Sequence, residues 1–254
     1  MKRAIVILAV VFGLSACATP PPEVHYRLSP GDRVGIMVDV GDTLIHTASG
    51  LPKGKNATTK TTINKYPGEW GIRRYVTTRL TTELRKTGGF EVVDLASHGI
   101  AYYRIAGLIG ARDGRWTVRR NREQMYRHLI RKLRLKAVVV VSERRLHVTS
   151  YCTENGCANY HSTGPGLVRV RGFLSQQYFA VAAYQTDVFI LDPPANLALG
   201  KAFKALERRR VGRIKNFVPP KDPSEISAAW RPVTAHIRGY VSRLAILVAG
   251  TLRR

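Results

Sequence analysis

The stretch Ala-Val-Val-Val-Val at positions 137–141 has five consecutive apolar residues and no polar one. A strand with one solvent-facing side alternates apolar and polar residues, whereas a strand covered on both faces is apolar throughout. The stretch therefore predicts the central β-strand of a sheet that has other parts of the protein packed against both of its faces.

Apolar spacing predicts further strands and helices on the amino-terminal side of this strand. Residues 33–40 form a second apolar run after a Ser-Pro-Gly-Asp turn, which predicts another buried strand. At 72–84 the apolar residues recur at helical spacing, and a Gly-Gly pair follows as a stop signal. The other elements predicted here are strands at 90–95 and 102–109, a tight turn at 113–114, and a helix that starts at Asn121 as its cap and buries Met125, Leu129 and Leu133.

After the central strand the apolar period changes to two. Residues 145–192 therefore predict a meander of three or four strands. A long helix is predicted to start at Asp222 as its cap, to kink or restart at Pro232, and to pack its apolar side on the sheet up to residue 248. The polar segment 48–65 predicts a long loop, although its threonine run at 58–62 is also suited to an edge strand.

The order of these elements predicts a single α/β (α+β) domain over residues 29–254. We expect a mixed β-sheet, amphipathic helices that flank it, and a long C-terminal helix packed on the sheet. The apolar fraction of 44% is that of a globular chain rather than a disordered one.

The first sixteen residues have the layout of a secretory signal peptide. Two cations, Lys2 and Arg3, precede ten apolar or small residues, a run too short to cross a bilayer as a helix. The sequence Leu-Ser-Ala-Cys at 14–17 resembles the lipobox of bacterial lipoproteins, whose cysteine is acylated and becomes the new amino terminus. The resemblance implies a lipid anchor on Cys17. The alternative is a plain secretory signal in which Cys17 is an ordinary cysteine.

The residues after Cys17 indicate where a lipoprotein would reside. In the lipoprotein family an Asp directly after the cysteine favours retention at the inner membrane. Ala18 stands there in this chain, which implies the periplasmic face of the outer membrane in a Gram-negative cell. Residues 17–28 are predicted to be a spacer, because Thr-Pro-Pro-Pro-Glu at 19–23 is typical of a stiff polyproline segment.

The net charge is +24, and removal of Lys2 and Arg3 with the signal leaves +22. Such an excess of cations favours anionic partners, namely lipid head groups, envelope glycans or, less favoured, nucleic acid, and a protein partner is the remaining alternative. Nucleic acid is less favoured because Tyr126 is the one aromatic residue within the basic helix. The other interpretation is that the cations form ordinary solvated surface. The residues predicted to bind anions are Arg127, Arg131, Arg134, Arg208, Arg209 and Arg210.

Cys152 and Cys157 flank a Glu-Asn-Gly turn and are expected to form a disulfide across a hairpin tip in the oxidising periplasm. The alternative is a zinc site, because His147, Cys152, Cys157 and His161 form a series of zinc-binding residue types. The cysteine spacing is wider than in the usual zinc pattern, so we predict the disulfide and no metal.

No catalytic or cofactor motif is present. The chain has no Gly-x-Ser-x-Gly elbow, no His-Glu-x-x-His, no phosphate-binding glycine loop and no Rossmann fingerprint. We therefore expect no cofactor. The alternative function is a periplasmic hydrolase or glycan-modifying enzyme, with Asp39, Asp42 and His46 at the end of the first strand close to Ser142 or Glu143.

In element order, residues 33–248 resemble the periplasmic domains of lipoproteins in the curli-export (CsgG) and TolB amino-terminal class. That resemblance implies an envelope-assembly or accessory role rather than catalysis. The sequence thus predicts a non-catalytic binding or assembly factor, anchored to the outer membrane, that acts through a basic surface.

Overall fold

The structure is a computed structural model that describes residues 26–49, 61–68, 70–153, 156–162, 164–171, 176–215, 217–218 and 230–253. The valine run lies in strand β7 (Leu135–Glu143). Val139 and Val141 belong to one hydrophobic cluster, whereas Val138 and Val140 belong to another on the opposite face. The prediction of a strand covered on both faces is confirmed.

Ten strands form two five-stranded sheets. In spatial order, the first sheet contains β13 (Pro194–Asn196), β12 (Tyr184–Leu191), β7, β1 (Arg33–Asp39) and β4 (Glu91–Asp94). The second contains β14 (Val211–Ile214), β11 (Gln176–Val181), β10 (Gly166–Arg171), β2 (Thr43–Ser49) and β3 (Thr61–Pro67). Both sheets are mixed: β1 runs parallel to β4 and β7, and β2 runs parallel to β10, while the other pairs are antiparallel.

The two sheets follow one another along the strand direction. β1 leads into β2 through residues 40–42, and β11 leads into β12 through residues 182–183. In each sheet these strands flank one middle strand, which is β7 in the first sheet and β10 in the second. The sheets are therefore consecutive halves of one bent layer, and we call the junction between them the bend.

Helices cover both faces of the first sheet. One face carries α1 (Ile72–Glu83), which continues as a π-helical turn (Leu84–Gly88), together with α4 (Lys201–Glu207) and the long α5 (Arg231–Arg253). The other face carries α2 (Tyr102–Ile105), α3 (Glu123–Arg131) and the hairpin of β5 (Ile109–Arg112) and β6 (Arg115–Val118). A second hairpin, β8 (Leu146–Thr153) and β9 (Gly156–Ser162), follows β7. The predicted mixed α/β class and the packed C-terminal helix are confirmed.

The end of the first sheet opposite the bend brings several chain segments together. The parallel strands β1, β4 and β7 all begin there, and the Arg33 guanidinium donates a 2.6 Å hydrogen bond to the carbonyl of Leu133. Helix α5 ends there as well, because the Leu28 amide donates to the Leu252 carbonyl at 2.8 Å. We call this the entry end, because the described chain enters the fold at it.

The prediction of a strand over 102–109 is wrong. Tyr102 and Ile105 lie three residues apart in the short helix α2, which buries Ile105, and β5 begins only at Ile109. Gly107, with a φ of 61°, follows the helix and turns the chain in the left-handed region that glycine adopts freely. The predicted hairpin turn at 113–114 is confirmed.

Two further predictions are corrected. Asn121 does not cap α3, because it lies inside a 3₁₀ turn (Arg120–Arg122) and the helix begins at Glu123 without a side-chain cap. Residues 145–192 do not form one meander, because β11 stops pairing at the bend and the chain continues as β12 in the other sheet.

Several predictions concern residues at the margins of the described chain. The signal, Cys17, the segment 50–60 and the proposed cap Asp222 lie outside the described residues. Within them, the threonine-rich segment ends in the edge strand β3, and Pro232 stands in the first turn of α5. Leu28, predicted to belong to the spacer, is buried in the main core.

Candidate functional site

Glu143 lies at the bend and connects two strands there. Its Oε1 accepts a 2.9 Å hydrogen bond from the amide of Gly41, which links β1 to β2. The pKa of its carboxyl is raised above the ordinary value, mainly because the group is partly buried. The Gly41 hydrogen bond opposes this rise, and the charge of nearby Asp39 adds to it. Tyr184, directly opposite Glu143 on β12, is fully buried, and its hydroxyl has no hydrogen-bond partner among the described residues. The Glu143 carboxylate thus joins β7 to the chain segment that crosses the bend.

Asp42 serves the start of helix α1. The helix begins after Gly71, which offers no side chain as a cap, and its first turn contains no acid. Asp42 Oδ1 instead accepts a 3.1 Å hydrogen bond from the amide of Arg73, one of the unpaired donors of that turn. The Arg73 guanidinium reaches back to the carbonyl of Val38 at 3.3 Å. Asp42 therefore caps α1 from a distance in sequence.

Asp39 and Ser142 are neighbours on the parallel strands β1 and β7. The hydroxyl of Tyr102 donates a 3.2 Å hydrogen bond to Ser142 Oγ, which attaches α2 to the end of β7. Because side chains alternate along a strand, Ser142 and Glu143 lie on opposite faces of the sheet. Asp39 and Ser142 therefore share a face, whereas Glu143 lies on the other face, still near enough to Asp39 for that charge to raise its pKa.

His46 lies apart from these residues. It stands four residues after Asp42 along the extended β2, about 13 Å further on. Its ring packs edge-on against Trp230 with 6.3 Å between centroids. Burial, with a contribution from the Arg169 charge, lowers its pKa to about 4, so the imidazole is neutral at pH 7.

Four of the five residues considered for a hydrolase thus have structural roles. Glu143 holds the bend, Asp42 caps α1, Ser142 binds Tyr102, and His46 packs on Trp230 beyond hydrogen-bond reach of Asp42. General acid–base chemistry requires the groups to lie within hydrogen-bond distance of one reacting atom or one bridging water. The arrangement of these residues does not meet that requirement for His46.

The basic residues of α3 lie on the outward side of the layer formed by β5, β6 and α3. Met125 and Leu129 are buried against the sheet, whereas Arg127, Arg131 and Arg134 are exposed. Arg127 forms an ion pair with Glu123 one turn earlier. Arg131 and Arg134 have no ion-pair partner among the described residues.

This layer concentrates charge. Residues 109–136 contain ten Lys or Arg and two acids. The acids, Asp113 and Glu123, each pair with one nearby arginine on the same layer. The remaining cations therefore give one face of the molecule a strongly positive surface, which attracts anions.

The second predicted basic run, Arg208 to Arg210, does not lie beside α3, and only two of its three residues are exposed. Arg208 and Arg209 are exposed between α4 and β14, on the opposite side of the fold from α3. Arg210 is only 6% exposed, and its guanidinium bonds Glu207 and the hydroxyl of Tyr240. Arg210 is therefore an internal structural residue, and its assignment to an anion-binding surface is corrected.

The strand register places Cys152 directly opposite Cys157 in the β8–β9 hairpin. Opposite residues of an antiparallel pair have Cα atoms about 4.5–5.5 Å apart, within the range that a disulfide spans. His147 pairs with His161 instead, five residues earlier on β8 and about 16 Å away. The disulfide remains a prediction.

Within the described part of the chain, no three His, Cys, Asp or Glu residues are placed to hold a metal ion together. No helix in that part has both the length and the apolar character needed to cross a membrane.

Comparisons with protein-family models, with curated proteins and with solved structures found no match for this chain. The function is therefore inferred from the residues and their arrangement.

The sequence did not single out several cations at the entry end. Arg85 and Lys86 follow α1, Arg253 ends α5, and Arg27 precedes β1. All four are exposed. These four residues are far apart in sequence. The sequence therefore offered only one indication of the group, namely that basic residues stand at the ends of predicted helices.

Proposed function

We propose that the protein is a lipoprotein of the outer membrane, acylated at Cys17 and facing the periplasm, that binds an anionic envelope partner without catalysing a reaction. The partner classes are anionic lipid, envelope glycan and an acidic protein surface. The resemblance of residues 14–17 to a lipobox supports the anchor, and the element order supports an accessory or assembly role.

The observation that carries the binding proposal is the charge of the β5–β6–α3 layer. Ten cations and two acids occupy residues 109–136, and the apolar residues of α3 face inward so that the arginines remain outside. Arginine is suited to this role because its planar guanidinium binds phosphate or carboxylate oxygens in pairs. The structural roles of Asp42, Ser142 and His46 also support a protein that binds rather than one that catalyses.

The test is a binding screen against anionic vesicles, lipopolysaccharide, peptidoglycan and DNA. It uses the full chain with Cys17→Ser, so that an acyl chain does not mediate binding. We expect the affinity of R127E/R131E/R134E for at least one envelope ligand to fall by roughly tenfold or more, because each cation near an anionic surface contributes about 1 kcal/mol.

The matched control is R208E/R209E/R213E, which changes the net charge equally on the other side of the fold. An equal loss of binding in both variants would show that only the overall charge matters, and would contradict a specific binding surface on α3. Mass spectrometry of the protein from bacterial envelopes tests the anchor separately, since acylation adds mass to a peptide that begins at Cys17.

A further inference from the structure

The entry end of the first sheet carries a group of exposed cations that come from separate parts of the chain. Helix α1 ends there in its π-helical turn, α3 leads there into β7, and α5 ends beside Leu28. None of these cations has an ion-pair partner among the described residues. The group, which we call the basic ring, consists of Arg27, Arg85, Lys86, Lys132, Arg134 and Arg253.

The acids at the same end offset this charge only in part. Glu91 pairs with Arg33 at 2.9 Å, and Asp32 accepts a hydrogen bond from the Ser29 amide. Asp192 follows β12 and is exposed. Helix carbonyl ends also face this way, which favours cations at the ends of α1 and α5 but leaves their charges facing outward.

The opposite end of the first sheet has the reverse character. Asp39, Asp94 and Glu143 stand at the carboxyl ends of the parallel strands β1, β4 and β7, and Asp42 follows on the bend. Arg73, Arg144 and Arg145 lie at the bend as well, so the four acids there face three cations, whereas the basic ring sets six cations against three acids at the entry end. The charge of the first sheet is therefore graded, positive at the entry end and less positive at the bend.

We propose that the basic ring is a membrane-facing surface that lies against the head groups of an anionic phospholipid bilayer and orients the domain on it. This inference rests on the proposed lipid anchor at Cys17. The partner is a bilayer because the ring surrounds the point where the chain from Cys17 enters the fold. Cys17 and Tyr26 are nine residues apart, so the ring lies within roughly 30 Å of the anchored cysteine.

The charge gradient then fixes the orientation. The anionic surface attracts the ring and is less attractive to the acidic end, so the entry end faces the bilayer and the second sheet projects away from it. The β8–β9 hairpin, which follows the end of β7 at the bend, remains at a distance from the lipid.

The experiment measures partition of the unacylated full chain, Cys17→Ser, onto phosphatidylethanolamine vesicles with and without phosphatidylglycerol. The test variant is R85E/K86E, which changes α1 and leaves the α3 layer intact. We expect its partition onto the anionic vesicles to fall by roughly tenfold or more relative to the parent chain. The parent's binding is expected to weaken as salt is raised.

The matched control is R208E/R209E, which changes the net charge equally beside the second sheet. An equal loss of partition in this control, or unchanged partition of R85E/K86E, would contradict the proposal that the basic ring binds the bilayer. Circular dichroism verifies folding, and R85Q/K86Q replaces the first variant if that fails to fold. Binding that is lost in R127E/R131E, which leaves every ring residue intact, but kept in R85E/K86E would leave the proposed basic surface standing and refute the ring. An unmodified Cys17 in the envelope protein would refute the anchor, and with it the argument that the ring faces a bilayer, whatever the basic surface of α3 binds.

Discussion

His46 shows how burial determines what an ionisable residue does in this protein. The sequence placed it near two acids, where it suggested acid–base chemistry. In the fold it packs against Trp230, its Nε2 has no partner among the described residues, and its pKa falls to about 4. His46 is therefore a neutral residue of the core and not an acid or base.

This lowered pKa predicts a dependence of stability on pH. The pKa of His46 is about 4 in the folded protein and 6.5 for an ordinary free histidine side chain, so the unfolded chain binds more protons between these values. The contribution of His46 is fully present above pH 6.5 and is lost as pH falls towards 4. We expect a loss of about 2 kcal/mol in the free energy of unfolding between pH 7 and pH 5.

Urea unfolding of the parent and of His46→Phe at both pH values measures this effect. Phenylalanine keeps an aromatic edge against Trp230 and does not titrate. The variant is expected to lose less stability than the parent on acidification. The same loss in both proteins would assign the effect to other groups, such as His236, whose pKa burial also lowers.

Helix α1 shows at the scale of an element how distant residues complete local structure. Its apolar spacing was sufficient to predict it, since Ile72, Val76 and Leu80 are all buried. Its start, however, has neither an adjacent cap nor an acid, and Asp42 on the bend supplies the acceptor. Formation of this end of the helix is thus coupled to correct placement of residues 40–42, the segment that joins β1 to β2 at the bend.

Removing that acceptor has a definite expected cost. Asp42→Ala should lower the free energy of unfolding by about 1 kcal/mol, the usual cost of losing a helix cap. Asp42→Asn keeps an acceptor oxygen and should lose less, since only the attraction between its charge and the helix dipole disappears. Chemical denaturation of the two variants at pH 7 tests this; a larger loss in Asp42→Asn than in Asp42→Ala would contradict a capping role.

At the scale of the whole molecule, the excess of 41 cations over 17 acids acts on stability as well as on binding. Like charges repel in the compact state, and salt screens that repulsion. We expect added sodium chloride to stabilise the protein by an amount on the order of 1 kcal/mol, which raises Tm by about 2–4 °C.

Thermal unfolding at low and moderate salt measures this gain. A non-ionic osmolyte serves as the control for effects unrelated to charge. The variant R208E/R209E, which lowers the net charge, should begin more stable at low salt and gain less from added salt. A decrease of Tm with salt would show that attractive ion pairs outweigh the repulsion.

Local patterns predicted the parts of the fold that local forces determine. The valine run, α1 and the β5–β6 turn each followed from spacing or turn chemistry within a few residues. The bend could not be predicted in this way. It exists because β10 is the middle strand of the second sheet, and β10 pairs with β2 across more than a hundred residues of sequence. The helical turn that replaces the strand expected at 102–109 is held to β7 by the hydrogen bond from Tyr102 to Ser142, forty residues later, which the local pattern does not reveal.

The same distinction applies to the candidate surface. Arg134 was predicted from helical spacing, but α3 ends at Arg131 and leaves it outside the helix with a φ of 53°. Arg127 and Arg131 were predicted from the same spacing, which one segment determines, and both stand on α3. Arg85 and Arg253 were not, because their common location depends on where two helices end relative to one sheet. Arg210 was predicted wrongly, since its sequence neighbours do not reveal the contact with Tyr240 thirty residues later.

The entry of the chain through β1 has a mechanical consequence. Tension on the segment before Tyr26 reaches the sheet at Arg33, the first residue of a strand that lies between β4 and β7. Force along that strand loads its hydrogen bonds to both neighbours in shear, so that they share the load and do not open one after another. A pull from that end therefore has to break the hydrogen bonds of β1 to β4 and to β7 together before the strand leaves the sheet.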